Sequence, residues 1–443
     1  MLSYWSFIKQ NLRFLSFGLV LVFVGNYGQT FFISVFGGVW REAFDLSHTQ
    51  YSFYYSLATL ISGFALMIIG GKLDTSSLKT FTLWVLTGTL IATLVLAFAL
   101  NAYWLFAGFL LIRFCGQGLT GHTAFTTMAR YFDKNRGKAI SVASMGMPIG
   151  EFILPVAAAF TIAAFGWRET WIGLAVLLVL CFVPLLLWSL GDPRASQPVT
   201  QVDDNTEQDN NVQDSNLQDN NLQENSAEAN SVEVNNSDQN RPKRHWQRRD
   251  VIRDPRFWFT VPAILSPAVL ITGIFFHQAF WAEARGWSLS WVASSMTLYA
   301  ITHALGSLFT GALVDKLGAK RVMRLYLLPL AIATLMLQVD AFWGWAFFML
   351  VGGLSVGASG PTIGALWPEV YGTKHLGSIR AMVSALMVLS TAVAPIVLGT
   401  LIDEQLSVSS IMAGLAGYAI VSLLICQKVY QKALQTKVQT IDP

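Results

Sequence analysis

The chain reads as a succession of continuous apolar runs separated by short polar stretches. Roughly 20 apolar residues cross a bilayer as a helix. That ruler predicts twelve spans: 14–36, 50–71, 79–100, 103–129, 138–165, 170–190, 257–281, 290–313, 323–339, 343–368, 378–402 and 409–426. The runs are unbroken and do not alternate with period two, so helices are predicted over a barrel. The first run, from Phe14, is too long for the core of a secretion signal and is expected to stay as an uncleaved span. One region carries no apolar run, between about Gly191 and Asp250. Its centre, 201–240, is rich in Asn, Gln, Asp and Glu and holds the near-repeat NVQDS NLQDN NLQEN from Asn211. Ten acidic residues and no Lys or Arg lie between Arg194 and Arg241. Such a segment buries too little apolar area to offset its ordering entropy, which predicts a disordered linker. The basic run RPKRHWQRRDVIRDPRFW that follows suits a juxtamembrane segment against anionic lipid.

The linker divides six spans from six, and the halves resemble one another. A shift of 241 carries Trp40, Glu42, Ala43 and Ser47 onto Trp281, Glu283, Ala284 and Ser288, and Gly70 and Asp74 onto Gly311 and Asp315. A shift of 240 carries Tyr131, Gly137 and Pro155 onto Tyr371, Gly377 and Pro395. An offset held this long predicts two parallel copies of one six-helix unit, related by an axis along the membrane normal. The fold class expected is thus an all-α membrane protein of twelve transmembrane helices in two six-helix repeats. The expected divisions are a bundle over 1–190, a disordered cytoplasmic linker over 191–256, a second bundle over 257–427 and a tail over 428–443.

Composition agrees. Hydrophobic residues make up 53% of the chain and charged residues 12%, against about 25% charged in a soluble domain. Thirty Phe, 15 Trp and a mean hydropathy of +0.49 argue against disorder, a disulfide scaffold or a soluble enzyme. Cys115, Cys181 and Cys426 all fall in apolar runs and read as small hydrophobes. With the N-terminus inside, Lys and Arg divide as 25 inside, three outside (Arg41, Arg168, Arg285) and Arg113 within a span. The positive-inside rule then predicts that both termini and the linker are cytoplasmic. No phosphate-binding loop, metal-ligand cluster or nucleic-acid footprint appears, so neither a cofactor nor a nucleic-acid partner is expected.

Particular strings resemble the major facilitator superfamily. GALVDKLGAKR (Gly311 to Arg321) is similar to the superfamily's signature loop between its second and third helices, here in the second half. Its first-half counterpart, GGKLDTSSLK, keeps Gly70, Leu73 and Asp74 but lacks the later glycine and paired basic residues. IRFCGQG resembles the Arg-and-glycine motif of the fourth helix. YFDKNRGKAIS, GMPIGEFILP, GWRETW, FFHQ and KHLGSIRAMVSA resemble the bacterial monocarboxylate-transporter-like branch. The resemblance implies rocking alternating access, with helices 1, 4, 7 and 10 lining a central cavity and 2, 5, 8 and 11 flanking it. It also implies gating roles for Asp74, Asp315, Lys316 and Arg321.

Ionisable groups inside a span cost at least about 2.5–3.5 kcal/mol at the bilayer centre, which makes each a candidate site. Arg113 lies roughly 15 Å into the fourth span and Glu151 roughly 18 Å into the fifth, at 1.5 Å per residue. One reading makes Arg113 an anion-binding group and Glu151 a proton-titrating one, with Arg113 close enough to hold Glu151 ionised. The other makes them a static ion pair joining two helices. His277 and His303 are candidates to contact substrate, and His303 also to carry a proton; the alternative is a neutral histidine bonded to a neighbouring helix. Asn26, Tyr27, Gln29 and Gln117 are candidate substrate contacts, and His122 a further titratable group. The function these residues suggest is secondary active transport of a small solute, such as a monocarboxylate, coupled to protons. The expected location is a bacterial inner membrane and the expected state a monomer. A solute sensor signalling through the linker, a channel and an exporter of another small molecule stay open as rivals.

Overall fold

The computed structural model describes residues 2–132, 136–193, 246–372 and 376–438, and the described residues form helices and turns with no strand. Among the described residues eleven helices are long and apolar enough to cross a membrane: α1 Trp5–Gly28, α2 His48–Leu73, α3 Leu78–Ala97, α4 Ala102–Tyr131, α5 Lys138–Phe165, α6 Trp167–Leu190, α7 Pro255–Phe276, α8 Leu289–Val314, α9 Phe342–Tyr371, α10 Met382–Asp403 and α11 Val408–Tyr430. Small polar residues set where several begin. Ser47 closes a capping box with Gln50 at α2. Ser77, Asn101, Asp254 and Ser288 accept backbone N–H bonds at the starts of α3, α4, α7 and α8. Ser47 and Ser288, matched by the 241-residue offset, do the same work in both halves.

The ninth predicted span departs from expectation. Residues 323–339 hold no single membrane-length helix; a short helix Ala319–Met323 gives way to turns, then to Leu328–Met336. Pro329 explains the break, because it lacks an N–H and its ring crowds the carbonyl four residues back. The neighbouring backbone is satisfied from outside: Ser355 Oγ donates to the Tyr326 carbonyl at 2.8 Å. At the other end of the chain the last helix runs to Val438, well into the predicted tail. The acidic part of the predicted linker lies outside the described residues. Its basic end is ordered from Trp246: that ring meets Tyr371 edge-on and lies under Arg256, while Asp254 accepts from both Arg256 and Tyr371.

Glycines set how closely the helices approach. A Cβ at Gly306, Gly353 or Gly357 would sit 2.1–2.5 Å from backbone or side-chain oxygens of the facing helix, so α8 and α9 pack backbone to backbone. Large apolar side chains such as Phe64, Ile68, Leu180 and Phe309 remain more than half exposed, a surface fitted to lipid rather than water. Cys115 and Cys426 are buried, Cys181 is exposed, and all three are free thiols. Helices also pair across the halves: α2 packs along α10, and α5 along α8.

Candidate functional site

Three irregularities in otherwise regular helices build the site. The first is in α1, where a tight turn over Asn26–Gly28 leads to Gln29 in extended conformation (φ −77°, ψ 148°) before helix resumes at Thr30. The second is in α4, where Ile112–Leu119 is wound as a π-helix. Such wide turns are frequent at functional sites, and a second one, Leu178–Phe182 in α6, lies away from the cavity that Arg113 and Gln117 line. The α1 turn and the α4 π-helix meet: a Cβ on Gly28 would lie 2.4 Å from the Ile112 carbonyl oxygen and 2.9 Å from Gln117 Cβ. Gly28→Ala is therefore expected to push α1 off α4, lowering the melting temperature and abolishing substrate binding. A melt and a binding titration on the purified variant check this. The third irregularity is in the second half, where α7 stops at His277 and a short helix Gln278–Ala284 carries on. The 241 offset places Phe36, the end of a second tight turn in the first half, on His277; it places Pro267, inside regular helix, on Asn26. The Asn26 break thus belongs to the first half alone.

The α1 break and the π-helix open onto a cavity of about 380 Å³. Its polar wall is Gln29, Thr30, Thr59, Ser62, Arg113, Gln117, Thr120, Thr272 and Thr391; Leu66, Phe125, Met147, Met387 and Val388 form the apolar one. Arg113 is buried, with Nη1 donating to the Gly28 carbonyl at 3.0 Å and its guanidinium 5.1 Å from the centre of the Tyr55 ring. Its Nε is buried with no partner among the described residues. No carboxylate lines this cavity among the described residues, so Arg113 is its one formal charge. Gln117 Nε2 donates to Gln29 Oε1 at 2.9 Å, and Thr30 Oγ1 lies 2.7 Å from the Tyr55 hydroxyl.

Glu151 is elsewhere. Gly146 and Gly150, one helical turn apart on α5, abut α1, where added Cβ atoms would meet the Leu19 carbonyl and Asn26. Glu151 is one residue, about 100°, further round and faces α8 instead. There its Oε2 lies 2.9 Å from His303 Nδ1, with the carboxyl 5% and the imidazole 23% exposed. The predicted Arg113–Glu151 pairing is accordingly corrected: Arg113 is held by Gly28 and Tyr55, and the partner of Glu151 is His303. That pair joins the two halves of the chain. The 240–241 offset places Thr391 on Glu151 and Ser62 on His303, so the equivalent α2–α10 position is uncharged and lines the cavity.

The other candidates separate. Gln29, Gln117 and Arg113 face the cavity. Asn26 is wholly buried and donates to the Gly146 and Phe23 carbonyls, tying α1 to α5 rather than facing the cavity. The Tyr27 ring is buried against Phe32. His122 Nε2 lies 3.0 Å from the Gly70 carbonyl, joining α4 to the end of α2. His277 sits in a seam at the end of the bundle that carries Ser47 and Asp403. This seam is sealed by bonds between the halves: Asp403 accepts from the His48 and Thr49 N–H groups, and Gln278 donates to Ser34 Oγ and the Phe31 carbonyl. Tyr51 and Tyr55 lie against Phe276, and a Cβ on Gly399 would lie 2.8 Å from the His48 carbonyl. Lys316 and Arg321 are exposed, and the side chains of Asp74 and Asp315 lie outside the described residues. Their loop is anchored by Glu369, unforeseen from sequence, which accepts from the Ala319 N–H at 2.7 Å and lies 3.8 Å from Lys320 Nζ. Gly318 makes this approach with φ +82°. The threonines and methionines of the cavity wall were also unforeseen, since such residues serve helix packing anywhere in a membrane bundle.

The sequence profile of the Major Facilitator Superfamily matches residues 15–296 and 271–437. Among solved structures, a bacterial homologue of the human lysosomal transporter Spinster, in an inward-facing and unoccupied conformation, superposes with a TM-score of 0.62. The alignment covers 95% of this chain and 97% of that one at 13% identity. No curated protein matches significantly.

Proposed function

The chain belongs to the major facilitator superfamily, a family of membrane transporters rather than enzymes, and from that premise we propose that it moves a small organic anion, such as a monocarboxylate, in exchange or together with protons. The reading includes two six-helix repeats of twelve helices, with the broken segment 319–339 as the ninth, joined by a cytoplasmic linker in a bacterial inner membrane. The observation that carries it is Arg113: a buried guanidinium with an unpartnered Nε, at the wall of a cavity lined by no other charged side chain among the described residues. A lone buried cation is costly until an anion joins it. Gln29, Gln117 and Thr30 add hydrogen-bonding groups beside it, while Met147, Met387 and Val388 suit a short apolar body.

Glu151 and His303 supply the proton site. They lie on opposite halves, so a proton added to the carboxylate removes the negative charge that faces the His303 imidazole and weakens the link between halves. Rocking of the halves is then linked to protonation, because each changes the other's equilibrium by the same factor. With the orientation predicted from charge, the sealed seam faces outward. A sensor of the same fold would bind but not move solute, and a channel would not saturate. Counterflow in proteoliposomes tests this: a preloaded monocarboxylate is expected to drive saturable, transient uptake of its labelled form. Exchange of neutral or cationic solutes with no response to any monocarboxylate would sink the anion reading; absence of counterflow for every solute would favour the sensor or the channel.

A further inference from the structure

The two histidines at the sealed seam stand apart from both the cavity and the Glu151–His303 pair. His48 begins α2 in the first half; His277 interrupts α7 in the second. Their ring centres are 5.7 Å apart. His277 Nε2 lies 3.0 Å from the Pro395 carbonyl, which only accepts, so that nitrogen carries a hydrogen; Ser52 Oγ lies 3.4 Å away. His48 Nδ1 is buried with no partner among the described residues, and Phe280 meets the ring edge-on. We infer that His48 and His277 form a second proton-binding site, and that loading it opens the sealed end.

The charges around the site set the sign. Arg41, half-buried on Gly37–Phe44, bears on both rings and is a third positive group. Opposite it are Glu283 on Gln278–Ala284, which bears on Arg41, and Asp403 at the end of α10. Both Asp403 carboxylate oxygens already accept N–H bonds from the start of α2, so that charge is committed to the helix terminus. Protonating both rings thus adds two cations at near ring contact, in a seam where His277 is only 3% exposed. Like charges in a water-poor site repel strongly, and separation of the halves rehydrates them. Proton binding here is therefore linked to opening, and the protons come from the side toward which this end opens.

The test uses the full chain in nanodiscs with Cys181→Ser and spin labels at Glu42 and Ser409, which are exposed on opposite halves at the sealed end. Pulsed-EPR distances are read at pH 8 and pH 5. The long-distance population is expected to rise several-fold at pH 5. It is expected to lose most of that rise in His48→Gln with His277→Gln, and to keep most of it in Glu151→Gln with His303→Gln. That last arm separates this site from the coupling pair of the proposed function. A shift undiminished without His48 and His277, or one that vanishes when only Glu151 and His303 are replaced, overturns the inference. If the double seam variant does not fold, His277→Gln alone decides: glutamine still donates to the Pro395 carbonyl, and the shift must fall by at least half. An undiminished shift overturns the inference.

Discussion

Glu151→Gln is expected to abolish proton-driven accumulation while leaving substrate exchange close to the wild-type rate. The amide keeps the size of the side chain and an oxygen facing His303 Nδ1, at 2.9 Å in the native pair, but it cannot ionise. The α5 side of the link to α8 is then fixed without its negative charge. Accumulation driven by a pH gradient should collapse to the equilibrium level. Exchange needs no net proton movement and should persist, and its pH dependence should flatten. A merely structural pair predicts something else: a lowered melting temperature and proportional loss of both activities, with full coupled uptake restored when His303→Gln is added. Restored accumulation in that double variant would remove the pair from the coupling mechanism, since no titrating group would remain between those helices. Uptake with and without an imposed pH gradient, beside counterflow in the same vesicles, measures the split directly.

Arg113→Lys is expected to raise the dissociation constant for an anionic substrate roughly ten- to hundredfold, the worth of a hydrogen bond to a charged group. Lysine keeps the charge but loses the planar fork whose Nη1 holds the Gly28 carbonyl at the cavity wall. It also loses the guanidinium contact over the Tyr55 ring. Arg113→Met should remove binding altogether. Neither variant disturbs Glu151, because the two residues are not partners, so the melting temperature at low and high pH should keep its native difference. Titration calorimetry with a panel of monocarboxylates is the measurement. Unchanged affinity in Arg113→Met would place the anion site elsewhere and leave the buried guanidinium as a brace between α4 and the α1 break.

Much of this molecule was legible in its residues. Continuous apolar runs of membrane length set eleven of the spans, because lipid offers no partner for backbone polar groups and only a helix satisfies them locally. Ser47, Ser77, Asn101 and Ser288, at the run boundaries, cap helices in the structure. Ser47 and Ser288, 241 residues apart, each cap the start of a helix. Pro329 was equally visible, yet hydropathy averaged across it; whether a proline kinks a span or ends it depends on who satisfies the freed carbonyls, here Ser355 from another helix. The cost of charge in lipid singled out Arg113, Glu151, His277 and His303 as residues that need partners. What those four residues touch was decided only by tertiary structure. Depth along a helix is read from residue number at 1.5 Å per step, but direction round it is set by which face its neighbours accept. Gly146 and Gly150 give that face of α5 to α1, which turns Glu151 away from Arg113 and onto His303 in the other half. Likewise α7 ends at His277, which puts that ring in the seam with His48 rather than in the cavity. Sequence specified the costly groups; the close approach of glycine faces specified their partners, because contacts across helices depend on rotation and distance that no single helix encodes.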